Sequence, residues 1–402
     1  MKYKLIISCV FPPEPTVSGQ VMFDVATELS KTGKVKVITP RPTRPFNFKF
    51  DQNRISKVDF EHIITNSFTS PEMSLIGRYK ESKSFGKWCF DYITKNHKDI
   101  ELVYMNAWPL FAQEEIIKAT KKFNIPCVTI IQDIYPESLI NKLPFGKGII
   151  QNVLLKKDRF ILHNSAKVLC ISDNMKAYLA KSRNLPLDHF SVIVNWQDEN
   201  TFIKYFKDNA DFKDETGQKP FTYMYLGNNG PVAGVEFLIE CFVKAAVTNS
   251  RLIIAGSGSK KEDCENLARS LNAKNVEFIS VPEGKVPHTQ DIADVMLLPV
   301  KKNGAYSSIP SKLPAYMFSK KPIIGSLDID SDTAKAIINA DAGIVIEPEN
   351  QEKLVAAMKE IASWHSDQIK EKGQNGYRYA MENFSKSGNL KKITQIIQNL
   401  EM

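Results

Sequence analysis

The sequence predicts an α/β protein of two doubly wound, Rossmann-like parallel-sheet domains, and three observations carry that prediction. The chain has 402 residues, beyond the size at which one hydrophobic core keeps growing. Short β-rich runs alternate with amphipathic helical segments from the start, the pattern of βαβ units. The alternation begins again after residue 195, which sets the domains at 1–195 and 196–383, with a last helix over 384–402 expected to complete the first.

Taken in order, Lys4 to Phe11 is a strand closed by Pro12-Pro13, and Gly19 to Thr32 is a helix with Val21, Val25 and Leu29 at i, i+4 and i+8. Val35 to Thr39 is the next strand. Leu102 to Met105, a helix around Gln113 to Phe123, the strand Cys127 to Gln132, and Val168 to Ser172 leading into Asn174 to Ser182 extend the series to Val192–Asn195. The second series has strands at Thr222 to Leu226, Arg251 to Ala255, Val276 to Ile279, Val295 to Pro299, Pro322 to Gly325 and Gly343 to Ile346. Helices fall between them, including Gly234 to Thr248 and Lys261 to Asn272. Beyond Lys353 the pattern is helical, as two helices broken near Asn383 to Ser387. No solenoid-type repeat or low-complexity linker interrupts it.

Composition narrows the function. A hydrophobic content of 43% with 24% charged residues is that of an ordinary globular protein. The six cysteines, Cys9, Cys89, Cys127, Cys170, Cys241 and Cys264, form no Cys-x-x-Cys pair, which argues against a disulfide framework or zinc site and for reduced thiols in a cytoplasm. The start reads as a first strand, not a signal peptide, and no apolar stretch approaches the roughly 18 to 20 residues that span a bilayer. A soluble protein, or one resting on a membrane, is therefore expected.

The net charge of +8 comes without a basic array interleaved with stacking aromatics, so no nucleic-acid partner is expected. The excess is local, in segments 76–98 (Arg78, Lys80, Lys83, Lys87, Lys95 and Lys98 against Glu81 and Asp91) and 141–160 (Lys142, Lys147, Lys156, Lys157 and Arg159 against Asp158). Basic and apolar residues together can hold a protein to an anionic bilayer surface; each segment reads equally as a solvated helix face with its apolar side in the core.

Three loops of the second half carry chemistry. Leu226-Gly-Asn-Asn-Gly-Pro-Val-Ala-Gly234 follows a strand and opens a helix, so glycines and free helix N–H groups meet there; a phosphate contact or an ordinary βα turn both fit. Ala255-Gly-Ser-Gly-Ser259 is a second small-residue loop at a strand's carboxyl end, where open α/β sheets bind ligands. In Ser307-Ser-Ile-Pro-Ser-Lys312, hydroxyls and amides can cradle a diphosphate while Lys312 opposes the charge of a leaving group; the alternative is a capped helix start with a surface lysine.

In the first half, Val17-Ser-Gly-Gln20 is a similar helix-opening loop preceded by Pro12-Pro-Glu14. Gln132-Asp-Ile-Tyr-Pro-Glu-Ser138 gathers Asp133 and Glu137 at a strand's carboxyl end, as groups for sugar hydroxyls or proton transfer, or as turn and cap residues. The six histidines show no metal-ligand or triad spacing, and no metal or other cofactor is expected.

The run from Tyr225 to Val345 resembles the donor-binding half of the family 4 glycosyltransferases. The matching pieces come in order: Tyr225-Leu-Gly-Asn-Asn-Gly, Leu252-Ile-Ile-Ala-Gly-Ser-Gly, Asn275-Val-Glu-Phe, Ile292-Ala-Asp-Val-Met-Leu-Leu-Pro299, Ile309-Pro-Ser-Lys-Leu, Lys321-Pro-Ile-Ile-Gly-Ser326 and Ala340-Asp-Ala-Gly-Ile-Val-Ile-Glu-Pro-Glu-Asn350. The first half is similar more loosely, through Phe11-Pro-Pro-Glu14, Ser18-Gly19 and Gln132-Asp-Ile-Tyr-Pro-Glu-Ser138, the last like motifs of bacterial enzymes that build O-antigen, capsule and other exopolysaccharides.

The resemblance implies a GT-B architecture, two Rossmann-like domains facing a cleft, and transfer of a hexose or N-acetylhexosamine from a nucleotide-diphosphate donor, a UDP-sugar favoured, to a lipid-linked glycan, with retention of configuration. It places the donor at Gly227, Asn228, Asn229, Gly230, Gly256, Ser257, Gly258, Val281, Ser307, Ser308, Ile309, Pro310, Ser311 and Ala315, and the acceptor at Glu14, Ser18, Gly19, Gln132 and Glu137. Lys312 and Asp133 become the catalytic candidates. The protein would work in the cytoplasm, peripheral on the membrane through segments 76–98 and 141–160.

Three departures stand out. Members usually carry two glutamates at the places of Ser307 and Ala315, the second a ribose ligand. Their basic residues after the first donor-half strand fall here on Asn228 and Ala233, and the histidine that often precedes the first-half aspartate is Gln132. The missing glutamates motivate a different class, a non-catalytic subunit of the same fold that activates a partner transferase. A nucleotide-sugar epimerase of the same architecture is the third reading, and it needs several ionisable groups gathered at the site.

Overall fold

The computed structural model describes residues 2–44, 58–70, 74–140, 147–209, 219–231, 233–302 and 309–401. Two compact units emerge, Met1–Ile193 with Leu390–Met402, and Val194–Asn389.

The first unit runs β1 (Tyr3–Ile7), α1 (Val17–Ser30), β2 (Val35–Thr39), β3 (Glu61–Ile64), α2 (Leu75–Asn96), β4 (Ile100–Asn106), α3 (Leu110–Lys122), β5 (Cys127–Ile131), α4 (Glu137–Ile140), α5 (Lys147–His163), β6 (Lys167–Cys170), α6 (Asp173–Arg183) and β7 (Phe190–Val192). Its strands form a parallel sheet in the order β3-β2-β1-β4-β5-β6-β7. Every residue of β1 and β5 is buried, as expected of strands covered on both faces by helices. Side chains set the helix starts: the hydroxyl of Thr16 accepts from Gly19 N at 3.1 Å to open α1, and that of Ser172 accepts from Met175 N at 3.2 Å to open α6. Asn184, left-handed at φ 56°, ends α6.

The second unit runs α7 (Glu199–Asp208), β8 (Phe221–Leu226), α8 (Val235–Ala245), β9 (Ser250–Ala255), α9 (Lys261–Ser270), β10 (Val276–Ile279), α10 (Val286–Asp291), β11 (Val295–Pro299), α11 (Lys312–Phe318), β12 (Ile323–Ser326), α12 (Asp332–Asn339), β13 (Gly343–Ile346), α13 (Gln351–Ala362), α14 (Ser366–Asn383) and α15 (Lys386–Glu401), the last ending in the first unit. The sheet is parallel in the order β10-β9-β8-β11-β12-β13. Alternate strand residues feed two cores: Met224, Ile253, Met296 and Leu298 pack with Tyr316 and Phe318, whereas Tyr223, Tyr225, Leu252, Ile254, Val295 and Leu297 pack under α8 and α13.

The doubly wound reading holds in both units, with differences of detail. The first strand stops at Ile7 instead of Phe11, because the Ser8 hydroxyl donates to Val10 O at 2.5 Å and turns the chain. Beyond Lys353 there are three helices, with an extra break between Ala362 and Ser366. The strand β3, with no fully buried residue, and the helix α7 are additions to the sequence reading.

Candidate functional site

In the second unit the order of strands reverses direction beside β8, so the loops after β8 and β11 part at their carboxyl ends. An open α/β sheet binds ligands at such a switch point. Gly227 follows β8 directly and Lys312 opens α11, and the two meet there. A Cβ on Gly227 would overlap Lys312 Cε and lie 2.9 Å from its Cδ, so the lysine stem lies over a position where only glycine leaves room. Lys312 Nζ sits 4.8 Å from the centre of the Tyr225 ring, and among the described residues it has no carboxylate partner. Burial lowers the pKa of this amine. Among the described residues this half-buried cation has a ring face beside it and no counter-charge.

The crossing is held from below. The Tyr316 hydroxyl accepts from Leu226 N and donates to Leu226 O, both at 2.9 Å, tying α11 to the end of β8. The Tyr225 hydroxyl donates to Asn228 O at 2.8 Å. The loops after β8 and β9 are laced together by Gly227 N to Ala255 O at 2.9 Å, Asn229 N to Ser257 O at 2.8 Å and Lys260 N to Asn229 O at 2.9 Å. Gly256, at φ 125°, has room for no Cβ because Gly227 O occupies its place, and a Cβ on Gly258, at φ 154°, would stand 2.5 Å from Asn229 N and O. Both glycines thus serve the approach of the two loops.

Asn228 and Ser257 are exposed, and Gly227 and Gly230 half-buried. Asn229 is fully buried, yet neither amide atom of its side chain has a partner among the described residues, a costly state in a packed loop. Ile309 and Val281 pack against the core that holds α11; Pro310 accepts from Leu313 N at 3.0 Å, and Ser311 is exposed without capping the helix. Ser307 and Ser308 lie outside the described residues. Ala315 is buried in the same core, at 8% exposure.

In the first unit, Ser18 and Gly19 form the first turn of α1, which sits against the β1 loop: a Cβ on Gly19 would lie 3.2 Å from Phe11 Cα. Gln132 is half-buried and Asp133 exposed after β5. Glu137 is committed elsewhere. Its Oε1 and Oε2 accept from Arg183 Nη1 and Nη2 at 2.6 and 2.8 Å, and Oε1 also takes the Tyr178 hydroxyl at 2.8 Å. Burial alone would raise this carboxyl, but the bonds and charge of Arg183 outweigh it and hold it below the usual range. This depressed, fork-bound carboxylate anchors α4 to α6, the turn-and-cap alternative that the sequence left beside sugar binding and proton transfer.

Glu14 is also buried. Its Oε1 accepts from Thr43 N and Arg44 N at 2.7 and 2.9 Å, while Oε2 has no partner among the described residues. Burial raises its pKa against the pull of those amides. It lines a cavity of about 420 Å³ after the carboxyl ends of β1 and β2 and alongside β3.

Comparison with known proteins fits this geometry. The family model described as glycosyl transferases group 1 matches residues 206–378. That segment, a little under half of the chain, is similar to the group 1 glycosyltransferases. No curated protein matches the chain. Solved structures cover it nearly whole: sucrose-phosphate synthase from Thermosynechococcus elongatus (TM-score 0.72, 16% identity, 100% of this chain and 99% of that one), HepE from Anabaena in complex with UDP (0.72, 13%, 99% and 100%) and a glycosyltransferase from Rickettsia africae (0.71, 18%, 99% and 98%). At these identities the likeness is one of fold, and the fold is GT-B.

Gly227, Lys312 and Tyr316 all fall inside the matched segment. The roles of the Tyr316 and Tyr225 hydroxyls escaped the sequence reading, because an apolar-looking run gives no sign that its tyrosines tie two loops. Among the described residues no cluster of three His, Cys, Asp or Glu could hold a metal ion, all six cysteines are free and buried, and no helix is long and apolar enough to cross a membrane. The two basic segments meet at α3, where Lys83 pairs with Glu115 at 3.3 Å and Lys157 with Glu114 at 2.7 Å, each amine 5.7 Å from the centre of the Phe111 ring. These pairs offset Lys83 and Lys157, whereas Lys80 and Lys156 are exposed. Lys142 lies outside the described residues.

Proposed function

We propose that this chain is a glycosyltransferase that moves a hexose or N-acetylhexosamine from a nucleoside-diphosphate sugar to a glycan carried on a lipid. The observation that carries the reading is the uncompensated amine of Lys312 lying over Gly227 at the switch point of a group 1 domain. In this reading Lys312 and the amides of Gly227 and Asn228 stabilise the diphosphate as its bond to the anomeric carbon breaks. The acceptor hydroxyl attacks from the same face, its proton passing to a departing phosphate oxygen, and configuration is retained. Asp133 orients a hydroxyl, and the unpartnered amide of Asn229 gains a bond when the donor arrives. A uridine nucleotide is favoured because the similar HepE structure holds UDP.

The membrane side of the reading rests on the face shared by α2, α3 and α5. Leu75, Ile76, Tyr79, Ile150 and Val153 are exposed there beside exposed Lys80 and Lys156, a mixture suited to the surface of an anionic bilayer and to a cytoplasmic, peripheral enzyme acting in surface-polysaccharide synthesis. One observation favours a non-catalytic partner subunit instead: Ala315 offers no carboxylate to a ribose. A panel of sugar nucleotides with lipid-linked acceptors separates the two. Transfer that Lys312→Ala removes supports the enzyme; absence of transfer and hydrolysis, with pathway activity indifferent to Lys312→Ala, supports the subunit.

A further inference from the structure

The cavity of the first unit is lined by Phe11, Pro13, Glu14, Pro40, Phe60 and His62 among others, after the carboxyl ends of β1 and β2 and along the chain from Val58 through β3. Its volume of about 420 Å³ falls within the roughly 300–1,000 Å³ of small-molecule sites. The aromatic part is a packed cluster, Phe11 lying 6.1 Å from Phe60 and 5.2 Å from the His62 ring. Rings and prolines make broad, rigid walls. Two polar groups interrupt them: the Glu14 carboxyl, whose Oε2 is buried and unpartnered, and His62, whose Nε2 meets the Thr39 hydroxyl at 2.9 Å.

Both groups lean toward their neutral forms, since burial raises Glu14 and lowers His62. Arg44, whose charge reaches Glu14, does not line the cavity: it bonds Glu81 at 2.6 Å and stacks on Trp108 at 4.3 Å, with its Nε buried and unpartnered among the described residues. Among the described residues that line this wall a phosphate or other anion would find no lysine or arginine, and a metal ion would find one carboxyl. A plain hydrocarbon chain would leave Glu14 Oε2 as unpartnered as before. The chemistry that fits is an uncharged ring with apolar C–H faces and a hydroxyl for the carboxyl.

We propose that this cavity is a subsite for a neutral sugar unit of the acceptor glycan, its ring packed on Phe11, Phe60 and the prolines and a hydroxyl bound to Glu14. The inference rests on the glycosyltransferase reading, which gives the nucleotide to the second unit and leaves the acceptor to the first. The test uses the full chain, with methyl glycosides of neutral hexoses and N-acetylhexosamines, the matching uronic acids, and UDP as separate probes. Saturation-transfer NMR and titration are run on the natural protein, on Glu14→Gln, which keeps an oxygen for the Thr43 and Arg44 amides, and on Ile64→Trp, which fills the mouth from an exposed position.

A neutral glycoside should bind, Ile64→Trp should weaken it about tenfold or more, Glu14→Gln should weaken it by at most a few-fold, and the affinity for UDP should not move. With lipid-linked acceptor, Ile64→Trp should raise the acceptor KM and leave the donor KM alone. The subsite is overturned if neutral glycosides do not bind, if uronic acids bind as well, or if Ile64→Trp leaves their affinity unchanged. UDP binding without glycoside binding sinks the subsite and spares the enzyme reading; glycoside binding without UDP binding does the reverse.

Discussion

Lys312 is a half-buried cation that has a ring face beneath it and no counter-charge beside it among the described residues. Removing it as Lys312→Ala should cost about 1.5–3 kcal/mol of nucleoside-diphosphate affinity, the worth of a charged hydrogen bond, and leave the melting temperature nearly unchanged. Gly227→Ala tests the crossing from the other side. The added methyl meets a flexible lysine stem, so the fold should survive while the amine is displaced, and diphosphate affinity should fall about tenfold by titration calorimetry. The depressed lysine pKa has a sign: the amine is charged below its folded value and neutral above it, so affinity should decline with rising pH before an ordinary lysine would deprotonate. The lysine was legible in the sequence as the lone cation among small residues. Its passage over Gly227 was not, because that contact joins positions far apart in the chain.

At the scale of elements, the buried Arg183 ties α6 to α4 through Glu137 and to α5 through Asp158 at 2.6 Å. None of the three residues looks unusual in sequence, and their pairing depends on three separate helices meeting. Arg183→Met strands two carboxylates and should destabilise the first unit by roughly 3–5 kcal/mol. Adding Glu137→Gln and Asp158→Asn should recover part of that loss, as read by thermal unfolding. The strands and their βα loops were visible from periodicity because each is a local pattern of apolar residues. The half-exposed strand β3 carries only a weak form of that pattern, and its place at the sheet edge comes from pairing with β2.

At the scale of the whole molecule, the chain ends inside the unit it began with. Leu390, Ile393 and Ile397 of α15 are buried, and the segment from Leu390 onward groups with the first unit. Ending the chain at Asn389 should cost the first unit on the order of 4–9 kcal/mol, the burial of three large aliphatic side chains, while the second unit keeps its affinity for a nucleoside diphosphate. Circular dichroism melts with and without UDP read the two effects separately. The two-domain plan was legible because the βαβ series starts twice. The Glu14 cavity was not, since its walls come from two strand ends and the segment through β3, and show as isolated prolines and phenylalanines in the sequence.

The central claim is that the second unit holds a nucleoside diphosphate through Lys312, and calorimetric titration of UDP into the natural chain and Lys312→Ala tests it most directly. The account predicts saturable binding that weakens about 10- to 100-fold in the variant at an unchanged melting temperature. No binding to the natural chain, or equal affinity in the two proteins, would contradict it.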